Sequence, residues 1–170
     1  MNEPNATNYR IANRSDIPEI CRIYNSHIDL GGSTFETEYW QEETLSQEIV
    51  DNPNNIWFVA ENRDGIIGWS SARLFSPRFG YRLTREIAIY FWSAHTGKGY
   101  SRGLLQKTED VCAEQGIHHL VSRVIAGNQR SLQFHFRCGY KMVGIQKEIG
   151  RLNGEWLDVA ILQKILTDKQ

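Results

Sequence analysis

The sequence predicts a mixed α/β domain, with a mostly antiparallel sheet of about seven strands flanked by about four helices. Three observations lead there. Two runs rich in β-branched and aromatic residues, Ile56 to Glu61 and Ile66 to Phe75, are separated only by Asn62-Arg63-Asp64-Gly65 and read as an antiparallel hairpin. A helical pattern running from Lys98 or Gly99 to Gly116 lies between two strand-like runs, as in a crossover. Along the chain the elements follow the order β-α-α-β-β-β-α-β-α-β-β. Hairpins combined with crossovers make a mixed sheet whose faces are covered by helices.

Each element carries its own signal. Residues 1 to 8 read as a flexible tail, and a single domain is expected over 9 to 170. Tyr9 to Ala12 is a short strand. Asp16, with Glu19 three residues later, has a capping pattern, and Ile17, Ile20, Tyr24 and Ile28 follow at helical spacing. Leu30-Gly31-Gly32-Ser33 ends that helix and opens a loop through Phe35 and Glu38. A second short helix covers Glu42 to Val50, and Asn52-Pro53-Asn54-Asn55 is a turn cluster. After the hairpin come a loop from Pro77 to Arg82 and a strand from Thr84 to Phe91. Leu104, Leu105, Thr108, Val111 and Cys112 share one face of the helix that follows. His119 to Ile125 is a strand, and Asn128 caps a helix ending at Gly139. Tyr140 to Glu148 and Trp156 to Leu166 are strands joined by Gly150-Arg151-Leu152-Asn153-Gly154.

Composition narrows the function classes. A chain of 170 residues, 41% apolar and 23% charged, can bury a core without disulfide or metal support. A net charge of −1 offers no general attraction to nucleic acid or an anionic membrane. Cys21, Cys112 and Cys138 are an odd, scattered set with no C-x-x-C spacing. They read as small apolar residues in a reducing compartment, with neither a disulfide framework nor a metal site expected. The polar start MNEPNATNYR lacks the apolar segment of a signal peptide, and no run approaches the ~18 apolar residues of a span, so a cytoplasmic location is expected.

The strand, turn and helix of residues 84 to 116 carry the functional signal. Glycines let backbone approach a ligand, and a helix N-terminus offers unpaired N–H groups that suit phosphate, with Lys98 and Arg102 adding positive charge. An ordinary strand-to-helix connection with solvated basic residues would look the same. Two nucleotide patterns fail on spacing. Lys98 is followed by Gly99 rather than Ser or Thr, so there is no P-loop. Gly97, Gly99 and Gly103 are too widely spaced for G-x-G-x-x-G.

Thr96-Gly97-Lys98-Gly99-Tyr100-Ser101 resembles the [QR]-x-x-G-x-[GA] coenzyme A loop of the GNAT superfamily of N-acetyltransferases, with Thr96 and Ser101 departing from the pattern. The segment Asn128 to Tyr140, an Asn-capped helix closed by Gly139 and an aromatic residue, is similar to the superfamily's second signature. His135 there matches the phosphinothricin and methionine sulfoximine acetyltransferase group. Runs at Ile23-Tyr24-Asn25, Phe35-Glu36-Thr37-Glu38, Tyr81-Arg82-Leu83-Thr84-Arg85-Glu86 and Trp156-Leu157-Asp158-Val159 resemble the same group. The likeness covers roughly residues 9 to 165.

The resemblance implies acetyl transfer from acetyl-CoA to a primary amine of a small, zwitterionic, amino-acid-like acceptor. Such a reaction needs a base for the ammonium proton, donors for the developing oxyanion and a proton for the departing thiolate. Glu86, at the head of an apolar strand where burial would raise its pKa, is the leading base; the alternative is a surface carboxylate paired with Arg85 or Arg82. Alternation places Glu86, Ala88 and Tyr90 on one strand face and Ile87 and Ile89 on the other. By resemblance, the backbone of Ala88, Ile89 and Tyr90 pairs with the pantetheine arm and holds the thioester carbonyl. Thr96, Gly97, Lys98, Gly99, Tyr100 and Ser101 hold the pyrophosphate. Asn128, Ser131 and His135 share a helix face, with Asn128 on the pantetheine, Arg137 near the coenzyme, and His135 protonating the thiolate, assisting the base, or structural. Arg82 and Arg78 are candidates for the acceptor carboxylate, and Phe35, Glu38, Phe75, Tyr81 and Arg85 complete the candidate acceptor residues. The group's habit further implies a homodimer with the acceptor site near the interface. An enzyme for another amine, a polyamine or a protein N-terminus, and a silent acetyl-CoA-binding module are the competing readings.

Overall fold

The computed structural model describes residues 7 to 166. Seven strands form one sheet in the order β1-β2-β3-β4-β5-β7-β6, with all neighbours antiparallel except β4 and β5. β1 (Asn8–Ile11) pairs with β2 (Ile56–Asn62), which turns into β3 (Gly65–Leu74), and β3 pairs with β4 (Thr84–Phe91). β5 (His119–Ile125) follows the crossover, and β7 (Glu155–Ile165) inserts between β5 and β6 (Lys141–Leu152). α1 (Ile17–Leu30) and α2 (Glu42–Ile49) cover one face. α3 (Tyr100–Glu114) and α4 (Gln129–Arg137) cover the other. The fold class and element order are those the sequence predicts. The expected tail at 1 to 8 lies largely outside the described residues; Asn8 within it is the first residue of β1.

Alternation along the strands explains two cores. Trp57, Val59 and Trp69 point toward α1 and α2, where Ile20, Ile23 and Leu45 meet them. Phe58, Ala72 and Ile87 point the other way, against Leu104, Leu105 and Cys112 of α3. Burial of Cys112 among these side chains pushes its thiol up to about 12, in keeping with a packing residue.

Two local expectations are corrected, and one glycine gains a role. The capping box is built on Asn13 and Asp16, which close a 3₁₀ turn before α1; Asp16 makes no side-chain cap to α1, because Arg10 grips its carboxylate at 2.7 and 2.8 Å. The expected connection from 150 to 154 shrinks to Asn153-Gly154, both at positive φ (50° and 85°), the conformation of a two-residue hairpin turn. Gly150 stays inside β6, where a Cβ would fall 2.5 Å from the Phe35 ring. Finally, Gly103 serves packing: the Tyr9 ring lies over it, and Tyr9 donates a hydrogen bond to the Tyr100 carbonyl at 3.0 Å.

What positions the site is a split in the sheet. β4 and β5 pair only over Thr84–Glu86 and His119–Val121. Beyond that point they diverge, and the edge of β4 from Ile87 to Phe91 faces a cleft. A second irregularity, in β6 between Gln146 and Gly150, turns Ile149 and Arg151 toward the same region. Asp158 holds that bulge by accepting from the Glu148 N–H and pairing with Lys147.

Candidate active site

Two cavities meet at the split. The larger, 880 Å³, runs along β4 to the N-terminus of α3 and the face of α4; the smaller, 490 Å³, lies beneath the loop after α1. Ser33, Glu86, Tyr90 and Arg123 line both. A reacting atom passed from one cavity to the other must cross these four residues.

The larger cavity fits a phosphorylated, extended ligand. Gly97 and Gly99, at φ 75° and 88°, carry the chain into α3, and no side chain caps the helix, so its first N–H groups stay open to an anion. Thr96 donates to the Ser93 carbonyl at 2.6 Å, which fixes the turn while leaving the helix end exposed. Thr96, Gly97, Gly99 and Ser101 line this cavity, as do Ala88, Ile89 and Tyr90 of β4. Asn128, Ser131 and Arg137 line it from the α4 side, and Asn128 also accepts from the Ser131 N–H as the cap of α4. Lys98 and Tyr100 do not line it. Lys98 is exposed to solvent, and Tyr100 packs against the core under α3. Arg130, which the sequence reading missed, lines the cavity with its guanidinium over Gly97.

Glu86 stands at the junction, with its side chain 20% exposed. The carboxylate is largely buried, as expected, and it is paired: Arg123 grips it with a bidentate pair at 2.7 and 2.8 Å. The alternative partners Arg85 and Arg82 do not reach it. Strand alternation puts Glu86, Ala88 and Tyr90 on one face, and the structure shows that this face is the α1 side. Tyr90 donates to the Ser33 carbonyl at 3.2 Å and so ties the loop after α1 to β4.

His135 is buried on the α4 side of the cleft. Its Nδ1–H donates to the Ser131 carbonyl at 2.8 Å, and its Nε2 accepts from Ser122 Oγ at 3.0 Å. Burial lowers its pKa, so the ring is held neutral. Both ring nitrogens are engaged by protein groups, the arrangement of a structural histidine.

The smaller cavity differs most from expectation. Phe35 lines it, packed on Gly150. Glu38 is exposed and outside it. Phe75 and Tyr81 stack edge-on with ring centroids 5.4 Å apart, and Arg82 lies over Phe79 at 4.3 Å; with exposed Arg78 they form a surface cluster that lines neither of these two cavities. Arg85 points to the opposite sheet face, 5% exposed, donating to the carbonyls of Asn54, Arg82 and Thr84. The cations that do line the smaller cavity are Arg123 and Arg151. A charge set among Leu120, Val121, Val124 and Ile125 of one strand was the signal that could have found Arg123.

Among the described residues no helix is long and apolar enough to cross a membrane.

Known proteins share this arrangement. The family model described as an acetyltransferase (GNAT) domain matches residues 9–161. The L-methionine sulfoximine/L-methionine sulfone acetyltransferase of Pseudomonas paraeruginosa is 31% identical over 91% of this chain and 91% of its own. The phosphinothricin N-acetyltransferase of Alcaligenes faecalis is 29% identical over 95% of this chain and 83% of its own. Among solved structures, the phosphinothricin acetyltransferase of Sinorhizobium meliloti in complex with acetyl-CoA superposes with a TM-score of 0.87 at 27% identity, covering 94% of this chain and 88% of that one. With a split sheet, an open helix N-terminus and a family match over most of its length, the chain belongs to the GNAT family and is an acetyltransferase with acetyl-CoA as its co-substrate.

Proposed function

We propose that this acetyltransferase acetylates the primary amine of a small amino-acid-like acceptor, such as phosphinothricin, methionine sulfoximine, methionine sulfone or a related L-amino acid, by direct attack in a ternary complex. The meeting of an acceptor-sized cavity with the coenzyme cleft at Glu86 carries this reading. The relatives named for such acceptors support it.

In this reading the open edge of β4 takes the pantetheine arm, and a β4 backbone N–H meets the thioester carbonyl, where the oxyanion develops. The open end of α3, with Arg130 beside it, takes the pyrophosphate. The acceptor lies in the smaller cavity with its nitrogen toward Glu86. Glu86 accepts the ammonium proton, directly or through water. The free amine forms the N–C bond, the C–S bond breaks, and the coenzyme thiolate leaves with the electron pair. His135 orients Ser122 and the base of α4 and takes no part in proton transfer.

The smaller cavity carries Arg123 and Arg151 against Glu36 and Glu86. That balance suits a zwitterion better than a polyamine, which needs a predominantly acidic site. A homodimer is part of the proposal. Its natural surface is the uncovered edge strand β6, where Met142, Val143, Ile145 and Ile149 are exposed. The surface cluster of Arg78 and Arg82 reaches an acceptor only if a second copy brings it there. A cytoplasmic location belongs to the same reading.

The decisive assay gives the purified protein acetyl-CoA with a panel of amino acids, sulfoximines and simple amines, following thiol release. Turnover of amino-acid acceptors, reduced at least ~100-fold by Glu86→Gln, is expected. Coenzyme binding without thiol release from any acceptor would leave only the silent binding module.

A further inference from the structure

Arg123 sits where the sheet opens. The last parallel partners are Glu86 and Val121, and Arg123 is two residues further along β5, on the same face as Val121. In a continued ladder it would stand beside Ala88. Because the strands diverge, its side chain instead spans the gap back to Glu86. The pair is unequal: the Arg123 side chain is 56% exposed and that of Glu86 only 20%. The guanidinium can therefore pivot into either cavity while the carboxylate stays.

We infer that Arg123 is the specificity-determining residue that reads the acceptor's α-carboxylate, while Glu86 faces its ammonium. This rests on the amino-acid acetyltransferase reading above. An α-amino acid carries both charges on one carbon, so it can enter by exchanging partners with the resident pair. Each new contact replaces an ion pair of the same sign, and no charge is left buried alone. The planar fork of an arginine matches a carboxylate bidentately, as it now matches Glu86. An amine lacking the carboxylate leaves Arg123 on Glu86 and competes with it for the same oxygens. The resident pair thus selects for zwitterions and against simple amines.

The test compares methionine sulfone with its α-carboxamide as acceptors, in wild type, Arg123→Gln and Arg123→Lys. Acetyl-CoA binding by calorimetry serves as the check on folding. Losing a hydrogen bond to a charged group is expected to raise the KM for the acid by about 10- to 100-fold in Arg123→Gln. The amide should change by less than about 3-fold, and Arg123→Lys, which keeps the charge but not the fork, should fall between. Equal losses for acid and amide, with kcat reduced and the pH profile displaced, would mean that Arg123 only holds Glu86, and would overturn the assignment. An unchanged acid-to-amide ratio in Arg123→Lys overturns it equally if the Gln variant fails to fold. Absence of turnover of both acceptors by wild type removes the underlying amino-acid-acceptor reading and this assignment with it. Turnover of both at an unaltered ratio in the variants removes the assignment alone.

Discussion

Ser122 Oγ and His135 Nε2 lie 3.0 Å apart, joining β5 to α4 at the base of the coenzyme cleft. The opposite ring nitrogen donates to the Ser131 carbonyl, so the neutral imidazole bridges strand and helix with Nε2 accepting from the serine. Both faces of its environment are packed, with Phe134 and Tyr140 edge-on to the ring.

That bridge predicts a pH dependence of stability. An imidazole in the unfolded chain titrates near 6.5, and burial holds His135 below its usual value. Between the folded and unfolded pKa values the unfolded chain binds a proton that the native state does not. Stability therefore rises with pH across that window. The contribution is complete above about pH 6.5 and is lost as the pH falls toward the folded value. His27, lowered mainly by burial and tied to the Phe91 carbonyl at 2.8 Å, acts in the same direction. Urea unfolding of wild type and His135→Gln between pH 5 and 8 checks this. The variant should lose part of the acid-side slope, and an unchanged slope would assign the effect elsewhere.

Arg130 predicts a coenzyme effect. Its guanidinium rests over Gly97 at the mouth of the α3 N-terminus, among groups suited to phosphate. Arg130→Ala should raise the KM for acetyl-CoA about 10-fold, the loss of one charge-assisted contact, and leave kcat nearly unchanged. Because the side chain is exposed, the difference should shrink as salt is added. Steady-state kinetics at two ionic strengths decide it.

Beneath the cleft, a buried hydroxyl pair predicts a non-additive effect on stability. Thr108 donates to the Leu104 carbonyl at 3.1 Å, so Ser70 donates to Thr108 across 2.6 Å, both side chains being fully buried. Thr108→Val strands the Ser70 hydroxyl and should cost about 1–3 kcal/mol. Ser70→Ala made together with Thr108→Val removes the orphan and should recover part of that loss. Denaturant midpoints for the two single variants and the double give the coupling; strict additivity would contradict the network.

Much of this architecture was legible. The hairpin of β2 and β3, the core face of α3, the Asn128 cap and the alternation of Glu86, Ala88 and Tyr90 all depend on neighbours in sequence, and period and turn chemistry report them directly. Of the residues read for the coenzyme, the glycines and the strand line the larger cavity, and Lys98 and Tyr100 do not. Of those read for the acceptor, Phe35 alone lines the smaller cavity. Arg82 and Arg85 lie close to Glu86 in sequence and looked like its partners. One lies over Phe79 at the surface and the other is buried on the far sheet face.

The sequence by itself determined the elements, their order and the faces they present, because these follow from periodicities of two and 3.6 residues acting over a few neighbours. Tertiary structure alone decided which cations line the two cavities. Arg123 meets Glu86 across 37 positions, Arg130 reaches the glycine turn from a different helix, and Arg151 arrives through a bulge in β6. Each depends on where β4 and β5 part and how β6 bends, and those are properties of strands packed together rather than of any stretch of chain.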